Sequence, residues 1–348
     1  MSTWPDLKNN PRLKQIFETR SEIVRLTREF FWSRGFKEAE TPIALRLPSQ
    51  EPYLNFFPVT VTHPRGDEHK FYLRTSPEYA LKKLLAAGYS KLFEIGKCFR
   101  NNEDFGGTHN PEFTMIEWYR APGSTQDFMD DMESLFKYVG DKLETKIVRL
   151  KDCKVDISEQ WDRMSMKGAW KKFSGIDLDN NLTIEQLNNT AREKEYSVDQ
   201  TYTYEDTFFK IFLNEIEPHL GLERPVFIYD YPAPMASLSR LCVHDPRYAE
   251  RVECYIGGLE LANGFGELLD APEQKRRLEA DKALRAKLGK ETWEIDEDFI
   301  AGLPAIAERS EATAGVALGL DRMVLLFTGA KDINEVIFGS AKDQLPAE

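Results

Sequence analysis

The sequence predicts an α+β protein, and three stretches carry that reading. FEIGKCFRNNEDFGGTHNPEFTMIEWYR, Phe93 to Arg120, reads as two strands joined by a long polar loop dense in Asn, Asp, Glu and Gly. Between Pro11 and Arg34 the apolar residues Ile23, Leu26, Phe30 and Phe31 fall at helical spacing, and Gly35 closes the helix. After residue 225, PVFIYDYP, RVECYIGGLELANGFGELLDA and GVALGLDR return to strand-rich patterning.

Taken in order, residues 1–10 read as a flexible lead and residues 11–343 as a single domain, with a helical insertion at about 150–222. FKEAETP reads as a strand that ends at Pro42, and two short strands, Asn55 to Val61 and Lys70 to Arg74, flank the turn HPRGDEH. In TSPEYALKKLLAAGY, Ser76 or Thr75 caps a helix that starts at Pro77, and Glu78 in its first turn suits the helix dipole. Phe128, Met132, Leu135, Phe136 and Val139 make a core helix, as do Phe208, Ile211, Phe212 and Ile216. A Gly-Gly turn separates ECYI from LELANGF, and a charged helical pair follows up to Leu303.

Composition bounds the function. With 348 residues the chain can bury a large core. It has no apolar run of about 18 residues, so no membrane span is expected. MSTWPDLKNNPRLK lacks the apolar core of a signal peptide, and the four cysteines are scattered without metal spacing, as thiols of a reducing cytoplasm would be. The net charge of −12, with 46 Lys and Arg against 58 acids and no basic tract, disfavours a grip on a long nucleic acid and suits a basic protein partner.

The polar groups of the hairpin point to chemistry. Arg100 ends its first strand, and His109, Asn110, Glu112 and Glu117 begin or line the second. Charges on an otherwise apolar sheet are costly unless paired. An anionic ligand for Arg100 and a cationic one for Glu117 would answer both.

FRN…HNPEFTMIEWY resembles the second signature motif of class II aminoacyl-tRNA synthetases in its lysyl form. RSEIVRLTREFFWSRGFKEAETP, Arg20 to Pro42, resembles the first, and GVALGLDR, Gly315 to Arg322, the third. The resemblance implies a catalytic domain with a mixed, mostly antiparallel sheet flanked by helices, and a homodimer formed through the first motif. The first motif starts within about 20 residues of the chain's start, so the anticodon-reading barrel of lysyl enzymes is expected to be absent. ELANGF with Ala262, together with EWYR and TSPEY, is similar to the elongation factor P–(R)-β-lysine ligase family.

The resemblance also implies roles. Arg100 would meet the α-phosphate of ATP, His109 and Arg322 the γ-phosphate, and Phe113 and Arg322 would sandwich the adenine. Arg100 and Arg322 are then the catalytic pair. Asn102, Glu103 and Asn110 complete the ATP loop, where Asn102 stands in place of the family's acid and Glu103 follows it. Glu253 and Glu260, seven residues apart, have the spacing of the family's Mg²⁺ carboxylates. Ser76 and Glu78 would face the substrate's amino group, Glu117, Tyr119 and Glu267 its distal ammonium, and Asn263 its carboxylate. Phe265 would line the pocket, and the methyl of Ala262 would narrow it. The implied reaction is ATP-dependent activation of (R)-β-lysine or lysine and transfer to a lysine of elongation factor P, with tRNA disfavoured as acceptor. A lysyl-tRNA synthetase-like ligase acting on tRNA or another amine is the alternative, and a non-catalytic protein that kept the fold is a third.

Overall fold

The computed structural model describes residues 3–346. They divide into two compact units, one made of the chain up to Gly123 and from Leu269 onward, the other running from Ser124 to Leu268. The first opens with α1 (Trp4–Asn9) and α2 (Pro11–Ser33). Of the expected lead, Met1 and Ser2 lie outside the described residues, and Trp4–Asn9 forms a helix instead. Its start is a capping box: the amide and hydroxyl of Thr3 donate to Asp6 Oδ2 at 3.0 and 2.6 Å. In α2, Asn10 caps through Oδ1 and Pro11 sits at the first position. The helix ends where Gly35 takes φ +78° and the Phe36 amide reaches back to Phe31 O.

One face of α2 buries Ile23, Leu26, Phe30 and Phe31. Phe31 lies 5.1 Å from Phe93, 5.1 Å from Trp118 and 5.0 Å from Phe36, an aromatic cluster that seats the helix on the central hairpin. β1 (Lys37–Glu38) is all that forms of the expected FKEAETP strand. β2 (Ala44–Leu45), β3 (Phe57–Thr62) and β4 (Glu68–Leu73) make a small antiparallel sheet, followed by α3 (Glu78–Ala86). The hairpin is β5 (Lys91–Phe99) and β6 (Glu112–Arg120), antiparallel from Lys91↔Arg120 to Phe99↔Glu112.

The second unit starts with α4 (Thr125–Lys142), whose capping box joins Ser124 and Asp127. Ser124→Ala should cost about 1 kcal/mol. The denaturation midpoint in urea would fall with an unchanged slope. After it come β7 (Ile147–Leu150), β8 (Cys153–Asp156), β9 (Asp162–Ser165), α5 (Met166–Ser174), α6 (Ile184–Glu193) and α7 (Tyr204–Ile211). The insertion expected as helical therefore also carries strands: β7 pairs with β8, and β9 runs parallel to β10 (Val226–Pro232). β10, β11 (Tyr248–Ile256) and β12 (Leu259–Gly266) are antiparallel, and Gly257 and Gly258, at φ +65° and +76°, make the tight turn between the last two. Trp170, Phe208, Ile211, Phe212 and Ile216 are fully buried with Tyr255 and Ile228 of the sheet. These rings are core, as their spacing predicts.

The chain then returns to the first unit with α8 (Ala271–Lys287), α9 (Glu297–Ala307), β13 (Ala314–Gly319), α10 (Leu320–Thr328) and α11 (Ala341–Gln344). The expected helical pair is interrupted, and in the linker Trp293 buries against Phe56 and Tyr72. β13 pairs antiparallel with β6, and β1 lies parallel to β5. In each unit the main sheet is thus antiparallel apart from one parallel edge pair. Among the described residues, no helix is long and apolar enough to cross a membrane.

A buried ion pair braces β5. Arg74 Nη1 lies 2.7 Å from Glu94 Oε1 and donates to Thr41 Oγ1 at 2.8 Å, while Thr41 donates to Glu94 Oε2 at 2.7 Å. Gly96 makes the room, since a Cβ there would lie 2.1 Å from Arg74 Nη2. Such a pair holds only because its remaining donors and acceptors are satisfied.

Candidate active site

The ATP-facing candidates of the first unit gather around the loop between β5 and β6. Arg100 leaves β5 with its amide donating to Pro111 O at 2.9 Å, and its guanidinium lies 5.3 Å from the Phe113 ring. Its Nε is buried with no hydrogen-bond partner among the described residues. Arg322, at the start of α10, donates to Thr108 O at 3.3 Å and from Nη2 to His109 Nε2 at 3.0 Å. Burial lowers the His109 pKa from its usual value, and the Arg322 charge adds to that, so the ring is neutral and accepts. Asn102 is exposed at φ +61°, and Glu103 is half-buried.

The loop is anchored at both ends. The Gly107 amide donates to Asp332 Oδ2 at 2.8 Å, and Gly107 O accepts from Ile333 N at 2.8 Å. Asn110 donates to Glu112 O and accepts from the Ala341 amide at 3.0 Å, which gives this expected ATP residue a structural occupation at the entrance of α11. A buried junction not visible in the sequence sets Arg322. Its neighbour Asp321 pairs with Arg20 of α2 at 2.5 Å and accepts from the Thr114 amide at 2.7 Å, while Arg20 also donates to Thr114 Oγ1 at 2.9 Å. All three motif regions meet at one carboxylate.

The second cluster of this unit centres on Glu117, 2% exposed on β6. Tyr119 donates to it at 3.1 Å, and Ser76 supplies a further hydrogen bond. Its pKa is raised to about 8, first by burial and then by the charge of Glu78, against the opposing effect of Ser76, Tyr119 and Lys82. Ser76 Oγ also accepts from the Glu78 amide at 2.9 Å, although the helix starts at Glu78, one residue later than expected, with Pro77 in the N-cap position. Glu78 accepts from Lys82 at 2.6 Å, and Lys82 is itself 2% exposed. Sequence reasoning missed Lys82, although its i, i+4 spacing from Glu78 was a usable signal. A buried acid that resists ionisation beside a second acid is a place where a ligand ammonium gains most.

The second unit carries the remaining candidates. Glu253, 3% exposed, pairs with Arg251 at 2.7 Å and accepts from the Tyr255 hydroxyl. Arg251 lies 4.7 Å from the Tyr231 ring and donates to Met235 O at 3.1 Å. Glu260 stands opposite Tyr255, where the register shifts and Leu261 is passed over. Along β12, Asn263 and Phe265 are half-buried and Ala262 is buried; Glu267, just beyond, is buried as well. Asn263 Oδ1 is buried without a hydrogen-bond partner among the described residues. Gly266 is required by close approach: a Cβ there would lie 2.3 Å from Glu250 Oε2, which binds Arg240 at 2.7 Å.

These residues fit the expected groups unevenly. Arg100, with an orphan donor beside an aromatic face, suits a nucleotide's phosphate and base, and Arg322 adds a second cation. Glu260 is half-buried and can offer a hard oxygen. Glu253 accepts from Arg251 and Tyr255, one bond on each oxygen, and each oxygen keeps further acceptor capacity.

Comparison with known proteins gives this geometry its context. Residues 2–341 match the family described as tRNA synthetases class II (D, K and N). A protein of Avibacterium paragallinarum named elongation factor P–(R)-β-lysine ligase is 37% identical over 93% of this chain and 94% of its own length. One of the same name in Proteus mirabilis is 39% identical over 91% of this chain and 92% of its own. A lysine–tRNA ligase of Moorella thermoacetica is 36% identical over 95% of this chain and 66% of its own length. With the three motif regions joined at Asp321 and the antiparallel sheets in place, the chain belongs to the class II tRNA synthetase family of the D, K and N type.

Proposed function

We propose that this chain is an ATP-dependent ligase that activates (R)-β-lysine, or lysine, and transfers it to a lysine side chain of elongation factor P. The substrate carboxylate attacks the α-phosphorus of ATP and pyrophosphate leaves; the acceptor amine then attacks the acyl carbon and AMP leaves. Arg100 stabilises the charge that builds on the phosphoryl oxygens, and Arg322 with neutral His109 holds the distal phosphate. Mg²⁺ would offset phosphate charge when bound, and Glu253 and Glu260 are the carboxylates that would hold it.

The observation that carries the reading is buried Glu117, flanked by Ser76, Glu78 and Tyr119 in a class II chain. A lysine-like diamine satisfies that acid, whereas a neutral side chain leaves it unpaired. The family resemblance assigns Glu267 to a diamine's distal ammonium, Asn263 to its carboxylate, and Phe265 and Ala262 to pocket walls. The names of the two nearly full-length relatives supply the β-lysine and the acceptor. A homodimer formed through α2 and β1, working in the cytoplasm, completes the proposal.

ATP–pyrophosphate exchange should be faster with (R)-β-lysine than with α-lysine, and elongation factor P should gain the mass of one β-lysyl group. The reverse order would discard the β-lysine assignment. A second reading, acylation of tRNA, draws on the Moorella relative. Charging of tRNA by the purified protein, without any mass gain on elongation factor P, would replace the first reading with it.

A further inference from the structure

The cysteines are scattered in the sequence, yet the fold of the second unit sets one of them beside a histidine and an aspartate. Asp230 sits where β10 shifts register between Tyr229 and Tyr231, and its backbone takes φ +61°. An irregular position of this kind re-aims a side chain. Cys242 and His244 lie two residues apart on the connection from β10 to β11. Cys242 Sγ is 3.2 Å from Asp230 Oδ1, His244 Nε2 is 3.2 Å from Asp230 Oδ2, and the three donor atoms lie within 4.8 Å of one another.

We propose that Asp230, Cys242 and His244 form a binding site for a divalent transition-metal ion of the zinc class. The donor set is the first argument. A sulfur, an imidazole nitrogen and a carboxylate are ligands zinc accepts together, and a three-residue set leaves the fourth tetrahedral position to water. Distances are the second. Zinc–ligand bonds of about 2.0–2.3 Å put neighbouring donors about 3.4–3.6 Å apart. The two separations from Asp230, 3.2 Å each, are close to that, and the whole set, now within 4.8 Å, would draw together around the ion.

Charge is the third argument. Carboxylate and thiolate together balance a dication. The neighbouring cations are engaged elsewhere: Arg240 binds Glu250 at 2.7 Å, and Arg247 binds Asp245 and Asp179 at 2.7 and 3.1 Å. Access is the fourth. Cys242 is buried while the His244 side chain is 68% exposed, so an ion can enter from the histidine side. On binding, the Cys242 thiol loses its proton to solvent and its sulfur lone pair goes to the metal, with no change of oxidation state.

The ion would pin a segment that supports a substrate-site candidate. Ser239 bridges to Glu267, Leu238 O accepts from the Leu268 amide at 3.0 Å, and Arg240 N donates to Gly266 O at 2.8 Å. Fixing Cys242 to β10 tethers the far end of this stretch.

The test is titration of the chelator-stripped full chain with Zn²⁺ and with Co²⁺, in excess Mg²⁺ so that hard-oxygen sites are filled. One equivalent should bind, and the Co²⁺ form should show thiolate-to-metal charge-transfer absorption. Cys242→Ser should abolish that absorption. His244→Ala, at an exposed position that leaves folding intact, should weaken binding beyond the ~10–100-fold that outer-shell substitutions cost. Absence of the charge-transfer band in the unaltered chain, or equal affinity in the His244→Ala variant, would overturn the site.

Discussion

Arg100→Ala should slow adenylate formation by about 10²–10³-fold and leave the fold intact. The guanidinium stands beside Phe113 with its Nε buried and without a hydrogen-bond partner among the described residues, so it contributes little to the resting structure that alanine would remove. The backbone bond from Arg100 N to Pro111 O survives the substitution and holds the hairpin end. The loss belongs in kcat more than in the KM for the diamine, because charge on the phosphoryl oxygens grows only towards the transition state. Arg100→Lys should recover little, since an ammonium cannot present the same fork of donors. Pyrophosphate exchange gives the rate, and circular dichroism the fold. A loss below about tenfold would remove Arg100 from the chemistry.

Glu117→Gln should reduce kcat/KM for the diamine by about 10²–10³-fold, since breaking a buried charge pair costs about 2–5 kcal/mol. The pH dependence separates this from a packing defect. In the folded protein without substrate, Glu117 keeps its proton up to about pH 8, against an ordinary value of 4.5. The unfolded chain releases that proton from about pH 4.5 upward, so the folded state binds more protons across the interval. The stability linked to this proton is complete below pH 4.5 and is lost as pH rises through about 8. Glutamine has no proton to lose, so the empty variant should gain stability relative to the unaltered protein above pH 8. Binding runs the opposite way: an ammonium needs the ionised acid, so the KM for the diamine should fall as pH rises towards 8. In the Gln variant it should stay flat. Thermal unfolding and initial rates at pH 6, 7, 8 and 9 would check both, and parallel profiles for the two proteins would refute the role.

Elements with strong local periodicity were legible before folding. The stripe of Ile23, Leu26, Phe30 and Phe31 gives α2, the aromatic and β-branched run gives β6, and Gly257-Gly258 gives the β11–β12 turn. β7 and β8 escaped because four-residue strands with one buried side chain each carry too little alternation to separate from polar coil. α1 escaped because a six-residue helix with no buried face depends on its cap alone.

The candidate site divides in the same way. Arg100 closes an apolar strand and Glu117 lies within one, so their setting could be read locally, while Arg322 was legible only through the resemblance of GVALGLDR to a family motif. What holds them could not. Arg20 and Asp321 are far apart in the chain, and only the fold brings them to 2.5 Å. Arg251, Glu253 and Tyr255 alternate along one strand and so share a face, a period-two signal that foretells their mutual pairing.

The junction of Arg20, Thr114 and Asp321 has a consequence for how such chains diverge. Loss of Arg20 strands a buried acid, and loss of Asp321 strands a guanidinium and a strand amide together. Neither position can drift alone, so descendants should keep both residues or exchange both within one lineage, whatever substrate they come to use.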